Sequence, residues 1–235
     1  MSDRDSRSQR GSDPSPARHI EVDPQRIVLW ANGFAERHGV LTWSSTERSV
    51  ALSAADGATA VLEPFAPGGP GRPGVVDELA GWAVPPTRLG LVLVRRGGYA
   101  VGKGQGAELT AHKVGTRYVQ SRTAAGGWSQ HRFARRRANQ ADALVGSVIE
   151  HTLRMVLASP SDALVVGGDK ALVRDVLADV RLAVIAELPR RELFDLPDPK
   201  LVVLQRALRR GRAVRITLSE PREDSKRRPE VPTVS

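Results

Sequence analysis

The sequence predicts an α/β fold built on a mixed sheet, in which an initial antiparallel meander is followed by alternating helices and strands, with a small helix-and-hairpin unit at the N-terminal side. Three observations predict it. "LGLVLVRR" and "YAVGKGQG" are strand-like runs separated by the turn Gly97-Gly98. From about Ser129 the apolar period lengthens to that of a helix. Beyond Ser159, short apolar runs such as "ALVVGG" alternate with amphipathic ones such as "DKALVRDVLADV".

In chain order, residues 1–17 are rich in Ser, Pro, Arg and Asp and read as a disordered tail, as do residues 219–235. In residues 18–65, Asp23 before Pro24 predicts a helix start, and Ile27, Leu29, Trp30, Phe34 and His38 mark the helix before Gly39 stops it. "RSVALSAADGATAVLEPF" alternates on both sides of Asp56-Gly57, the signature of a hairpin. Residues 66–74, "APGGPGRPG", form a Pro/Gly linker that no helix or strand interior accepts.

Residues 75–218 read as the second unit. Its meander comprises "LGLVLVRR", "YAVGKGQG", "AELTAHKV" and "TRYVQSRT". A helix of more than six turns follows, with Ala134, Ala138, Ala141, Val145, Val148, Ile149, Thr152 and Val156 on one face. Then come "ALVVGG" (strand), "DKALVRDVLADV" (helix), "LAVIAEL" (strand), "PKLVVLQRALRRG" (helix) and "AVRITL" (strand).

At 235 residues the chain can bury a core without staples, and its lack of cysteine excludes disulfides and thiolate metal sites. With no signal-like or membrane-spanning run, a cytoplasmic protein with no membrane partner is expected. The net charge of +9 is concentrated. Between Leu109 and Ala141 there is no Asp or Glu, against seven cations: Lys113, Arg117, Arg122, Arg132, Arg135, Arg136 and Arg137.

Most enzyme signatures fail on inspection. Gly102, Gly104 and Gly106 do not have nucleotide-loop spacing and precede a strand, so they read as a glycine-rich hairpin. His19, His38, His112, His131 and His151 show no metal-ligand spacing, and no metal or cofactor is expected. Gly127-x-Ser129 opens like a nucleophile elbow, but His131 stands where the closing glycine should be, and Ser129 reads better as a helix N-cap. The early strands carry no carboxylates for a two-metal nuclease.

The basic run is different. Arg132, Arg135, Arg136 and Arg137 oppose the positive end of the helix by about 0.3–1 kcal/mol each, a penalty that docked phosphate would offset. Gly126 and Gly127 belong to a loop tip. Gln130, a neutral amide, is no general base, but it can orient water and donate to developing negative charge.

"GGYAVG" at 97–102, "HKVGTRY" at 112–118 and "GGWSQ" at 126–130 followed by a basic helix resemble a known family. The likeness is to the catalytic middle domain of eukaryotic peptide-chain release factors, and more closely to the release-factor-like peptidyl-tRNA hydrolases of ribosome quality control, which include an actinobacterial branch. It runs from about Leu89 to Leu218. The resemblance implies a release-factor middle-domain, ribonuclease-H-like topology and metal-independent hydrolysis of the peptidyl-tRNA ester on stalled large ribosomal subunits. It implies that Gln130 is catalytic, that Gly126, Gly127 and Ser129 shape its loop, and that Lys113, Arg117, Arg122, Arg132, Arg135, Arg136 and Arg137 face RNA. The implied partners are the large subunit, peptidyl-tRNA and ribosomal RNA. Trp128 and Ser129 between the glycine pair and Gln130 suit the quality-control branch better than codon-directed factors. A cysteine-free chain cannot build the zinc module of the eukaryotic members. The alternative is a non-catalytic ribosome- or RNA-binding factor using the same basic helix.

Overall fold

The computed structural model describes residues 17–65, 72–116 and 129–220, with backbone alone for 129–138. Of the expected tails at 1–17 and 219–235, residues 1–16 and 221–235 lie outside the described residues, as do most of the linker and the run 117–128, while Ser219 ends a strand.

Two five-stranded sheets carry the fold. The first comprises β1 (Arg18–Val22), β2 (Leu41–Ser45), β3 (Val50–Ala54), β4 (Thr59–Glu63) and β10 (Val214–Ser219), in the order β1-β10-β4-β3-β2 and antiparallel throughout. The second comprises β5 (Arg88–Arg95), β6 (Gly98–Gln105), β7 (Glu108–Thr116), β8 (Ala163–Gly168) and β9 (Arg190–Leu193), in the order β7-β6-β5-β8-β9. There β5, β6 and β7 form three strands of the expected meander, its fourth run "TRYVQSRT" lying outside the described residues beyond Thr116, and β8 lies parallel to β5 and β9.

The first sheet is covered on one face. Asp23 accepts from the Gln25 amide at 2.9 Å and opens a short 3₁₀ turn that leads into α1 (Ile27–His38). Gly39 ends the helix with φ +89°, where a side chain would be strained. Ile27, Ala31 and Phe34 are buried against Val50, Leu52, Ala60, Leu62, Val214 and Ile216, with Leu79 and Trp82 of α2 (Leu79–Trp82) completing the layer. Leu29, expected to help form the apolar face, is 66% exposed, and Ala31 takes the inward position. The hairpin turn forms as expected: Gly57 has φ +92°, and the Ala58 amide donates to the Asp56 carboxylate at 2.9 Å.

The second sheet is buried on both faces along its central strands β6, β5 and β8, which explains why "LGLVLVRR" is apolar without a break. Leu89, Leu91 and Leu93 face α6 (Leu201–Arg212). Val92 and Val94 face the opposite layer of α3 (Ser129–Thr152), α4 (Lys170–Leu177) and α5 (Ala183–Ala186). Gly102 and Gly104 seat α6: a Cβ on either would come within 2.9 Å and 2.6 Å of Leu204 and Leu208. Gly102 and Gly104 are therefore packing positions on a strand, while Gly106 takes the left-handed turn after it at φ +58°.

Three expectations need correction. "AVRITL" does not extend the mixed sheet; β10 lies between β1 and β4, with Ile216 opposite both Ile20 and Leu62. "LAVIAEL" is helical, comprising a 3₁₀ turn capped by Asp179 and then α5. Its apolar residues serve one helical face, with Leu182 and Ile185 buried and Val184 exposed. The strand in that region is β9, which follows α5 and whose two arginines and glutamate carry little strand signal. The edge strands β1 and β2 extend the first sheet beyond the expected hairpin.

Arginines join the sheets. Arg210 of α6 donates to Glu21 of β1 at 2.7 and 2.9 Å and to Asp195 at 2.9 and 2.8 Å. Arg191 of β9 is buried, donates to the Ala213 carbonyl and lies 5.2 Å from the Phe65 ring centre. Burial pushes its guanidinium down to about 10, which leaves it protonated at neutral pH.

Candidate nucleic-acid interface and catalytic loop

The long helix expected from about Ser129 is α3, Ser129–Thr152, extended by a π turn over Leu153–Leu157. Its C-terminal half is the anchor. Leu144, Val148, Ile149 and Val156 are buried on β5 and β6, with Ala141 and Val145 partly so. Leu144 belongs to this face in addition to the expected stripe. The Thr152 hydroxyl satisfies itself by donating to the Val148 carbonyl at 2.8 Å. Gly90 admits the end of the helix, since a Cβ there would stand 2.4 Å from Val156.

Core packing among the described side chains begins at Ala141, and the helix rises about 1.5 Å per residue. Ser129 therefore sits roughly 18 Å further along the axis. Ser129, Gln130, Arg132, Arg135, Arg136 and Arg137 all fall on this leading segment, Gln130 as its second residue. Their side chains lie outside the described residues, as do Gly126, Gly127, Arg117 and Arg122 entirely. The run 117–128 joins the end of β7 to the start of α3.

Lys113 is the one expected site residue whose side chain is described. It is exposed on β7, opposite Val101 of β6, on the face of the sheet that α3 covers. Next to it, the Tyr99 ring lies across Gly115, where a Cβ would stand 2.4 Å from the ring. The glycine of "HKVGTRY" is thus required by a tyrosine on the neighbouring strand. The His151 ring of α3 stacks on Tyr99 with centroids 5.4 Å apart. Burial first, then the charges of Arg154 and Lys113, hold the His151 imidazole below its ordinary pKa, with Glu150 opposing them.

At the far end of this face the Lys103 ammonium donates to the Ser159 and Pro160 carbonyls at 2.6 and 2.9 Å. Burial, then Arg88, lowers its pKa. Arg88 in turn pairs with Asp162. Sequence reading missed His151 and Arg154 as members of the basic face. The spacing Lys113–Gly115 on a strand and His151–Arg154 on a helix could have shown them only once the pairing of β6 with β7 was known.

Among the described residues no cluster of His, Cys, Asp and Glu could hold a metal ion, and no helix is long and apolar enough to cross a membrane. Among the described residues the arrangement offers the exposed cations Lys113 on the sheet and Arg154 in the π turn that extends the helix, chemistry suited to anions.

Residues 87–217 match the family described as the actinobacteria/chloroflexi VLRF1 release factor, and the chain belongs to that family. No curated protein matches the chain. Among solved structures, a Vms1 mitochondrial localization core is similar at 10% identity and a TM-score of 0.42, covering 71% of this chain and 75% of that one. An archaeal translation termination factor, aRF1, is similar at 14% identity and a TM-score of 0.34, covering 83% of this chain and 64% of that one. The protein is thus a release-factor-like protein, and its family implies association with the ribosome.

Proposed function

We propose that the protein is a peptidyl-tRNA hydrolase that frees nascent chains from tRNA on stalled large ribosomal subunits. The observation that carries this reading is the position of Gln130. It is the second residue of α3, at the point where the run from β7 enters the helix, in a chain of the VLRF1 release-factor family.

The chemistry is ester hydrolysis. Water adds to the ester carbonyl, and the tRNA ribose hydroxyl leaves with the proton that the water gives up. Gln130 orients the water and donates to the developing oxyanion. Gly126, Gly127 and Ser129 set the loop, while Arg117, Arg122, Arg132, Arg135, Arg136, Arg137 and Lys113 hold RNA phosphates without reading sequence. No step requires a metal or an organic cofactor.

The test is single-turnover peptide release from stalled peptidyl-tRNA complexes. Gln130→Ala is expected to reduce release by about 10²–10³-fold, the loss seen when an aligned oxyanion donor is removed, with ribosome binding retained. Wild-type release by Gln130→Ala would leave the protein as a non-catalytic binding factor.

A further inference from the structure

We infer that Lys113 and Arg154, gathered around the His151 ring, form a second phosphate-binding point for RNA at the opposite end of α3 from the arginine run. The inference rests on the RNA-docking reading above and adds a site that the basic loop does not contain.

Geometry brings the three together. His151 is fixed by stacking on Tyr99, and Tyr99 is fixed against Gly115. Lys113 projects from the same face two residues before Gly115, and Arg154 follows His151 by three residues, close to one helical turn. Both cations are exposed, and among the described residues neither has a carboxylate partner. Glu150, the nearby acid, is engaged by Arg181 at 2.8 Å, and Arg181 is held in turn by Asp179 at 3.0 Å. Arg154 donates through its Nε to the Glu150 carbonyl at 3.2 Å, and among the described residues its terminal nitrogens meet no acceptor.

Two like charges beside one imidazole repel each other, and a phosphate placed between them would relieve that repulsion. From Arg137 to Arg154 the helix spans roughly 25 Å at about 1.5 Å per residue. One small anion cannot bridge that span, whereas a nucleic-acid backbone presents a phosphate at every step. This repetition favours RNA over a single acidic protein patch.

Occupancy has a protonation signature. In the free protein, burial, Arg154 and Lys113 disfavour the His151 imidazolium against the opposing charge of Glu150, which is itself paired with Arg181, and on β6 the ring stacks on Tyr99. A bound phosphate stabilises the imidazolium and raises its pKa in the complex. The added affinity is therefore fully present below the free-state pKa and is lost as pH rises through the bound-state pKa.

The experiment titrates a labelled RNA hairpin, and separately purified large ribosomal subunits, with wild type, Lys113→Gln/Arg154→Gln, the triple alanine variant of Arg135, Arg136 and Arg137, and His151→Asn. The glutamines keep the side-chain stems at exposed positions, and thermal melts verify folding. The Lys113/Arg154 variant should flatten the log–log salt slope by about 0.7–0.9 for each phosphate it no longer neutralises. His151→Asn should abolish the tightening that wild type shows as pH falls from the bound-state pKa to the lowered free-state pKa. A flattened slope in the triple variant with a wild-type slope in the Lys113/Arg154 variant would overturn this site, and the phosphate role of Lys113 with it, and leave docking through the arginine run standing. Wild-type slopes in both would overturn both. Polyglutamate binding abolished in the Lys113/Arg154 variant while its RNA affinity stays intact would assign the patch to an acidic protein and also overturn the inference.

Discussion

The two sheets solve the same burial problem in opposite ways. The second is assembled from residues 88–193, a single stretch of sequence, and its central strands β6, β5 and β8 are covered on both faces, so β5 and β8 are apolar on both sides. The first borrows its second strand, β10, from the far end of the chain, covers one face with α1 and α2, and leaves Ser53, Thr59 and Val61 on the other. A sheet closed by distant segments depends on everything between them. The site-bearing sheet is thus internally supported, whereas the first is held by the passage of the chain through the second and by Arg210 and Arg191 between them.

The largest effect that would break this comparison comes from β10. Ile216 is 1% exposed and meets Ile20 and Leu62 across the sheet. Ile216→Ala should destabilise the protein by about 2–5 kcal/mol. In hydrogen exchange, β1, β3 and β4 should lose protection together, although they lie at the other end of the chain. Exchange confined to β10 would show that residues 18–65 hold their own fold without it.

A matched pair sharpens the contrast. Val92 and Val61 both occupy central strands, but Val92 is 0% exposed beneath α3 and α4, and Val61 is half-buried on the open face. Thr is close to Val in shape but adds a hydroxyl, so the substitution reads the burial of that one polar group. Val92→Thr should lower stability by about 1–3 kcal/mol, and Val61→Thr by less than about 0.5 kcal/mol, both measured by denaturant midpoint. Equal losses would mean that the outer face of the first sheet is covered.

This difference also explains what was legible in the sequence. Strands β5, β6 and β8 and helices α3, α4 and α6 announce themselves because neighbours in sequence are neighbours in space. The sheet membership of β10 was illegible, since "AVRITL" looks the same in either sheet and only long-range pairing decides. The helical stretch at 180–186 imitates a strand because its small and branched apolar residues suit both periods. At the candidate site, Lys113 is visible from charge alone, while His151 and Arg154 depend on the Tyr99–Gly115 contact that orients them. The loop motif from Gly126 to Gln130 is legible as a local pattern, and its chemistry is what the release assay reads.

The smallest effect concerns a tie within the second sheet. Asp162, just before β8, accepts from the Arg88 amide at 2.9 Å and from its guanidinium Nε at 3.1 Å, pinning the start of β5 to the start of β8. The hydrogen bond from the Arg88 side chain, followed against burial by the Arg88 amide and charge, holds the Asp162 carboxyl below its ordinary pKa. A depressed carboxylate pKa contributes stability that is present above the unfolded-state value of about 3.9 and is lost as pH falls through the folded-state value. Because the pair is largely solvated, the contribution is small and salt weakens it. Asp162→Asn should therefore melt slightly below wild type at neutral pH and low salt, and the gap should close both in acid and at high salt. The Gly90 packing against Val156 near the same strand start does not titrate, so a gap that persists in acid would trace the loss to altered backbone geometry at the β5–β8 junction and not to the ion pair.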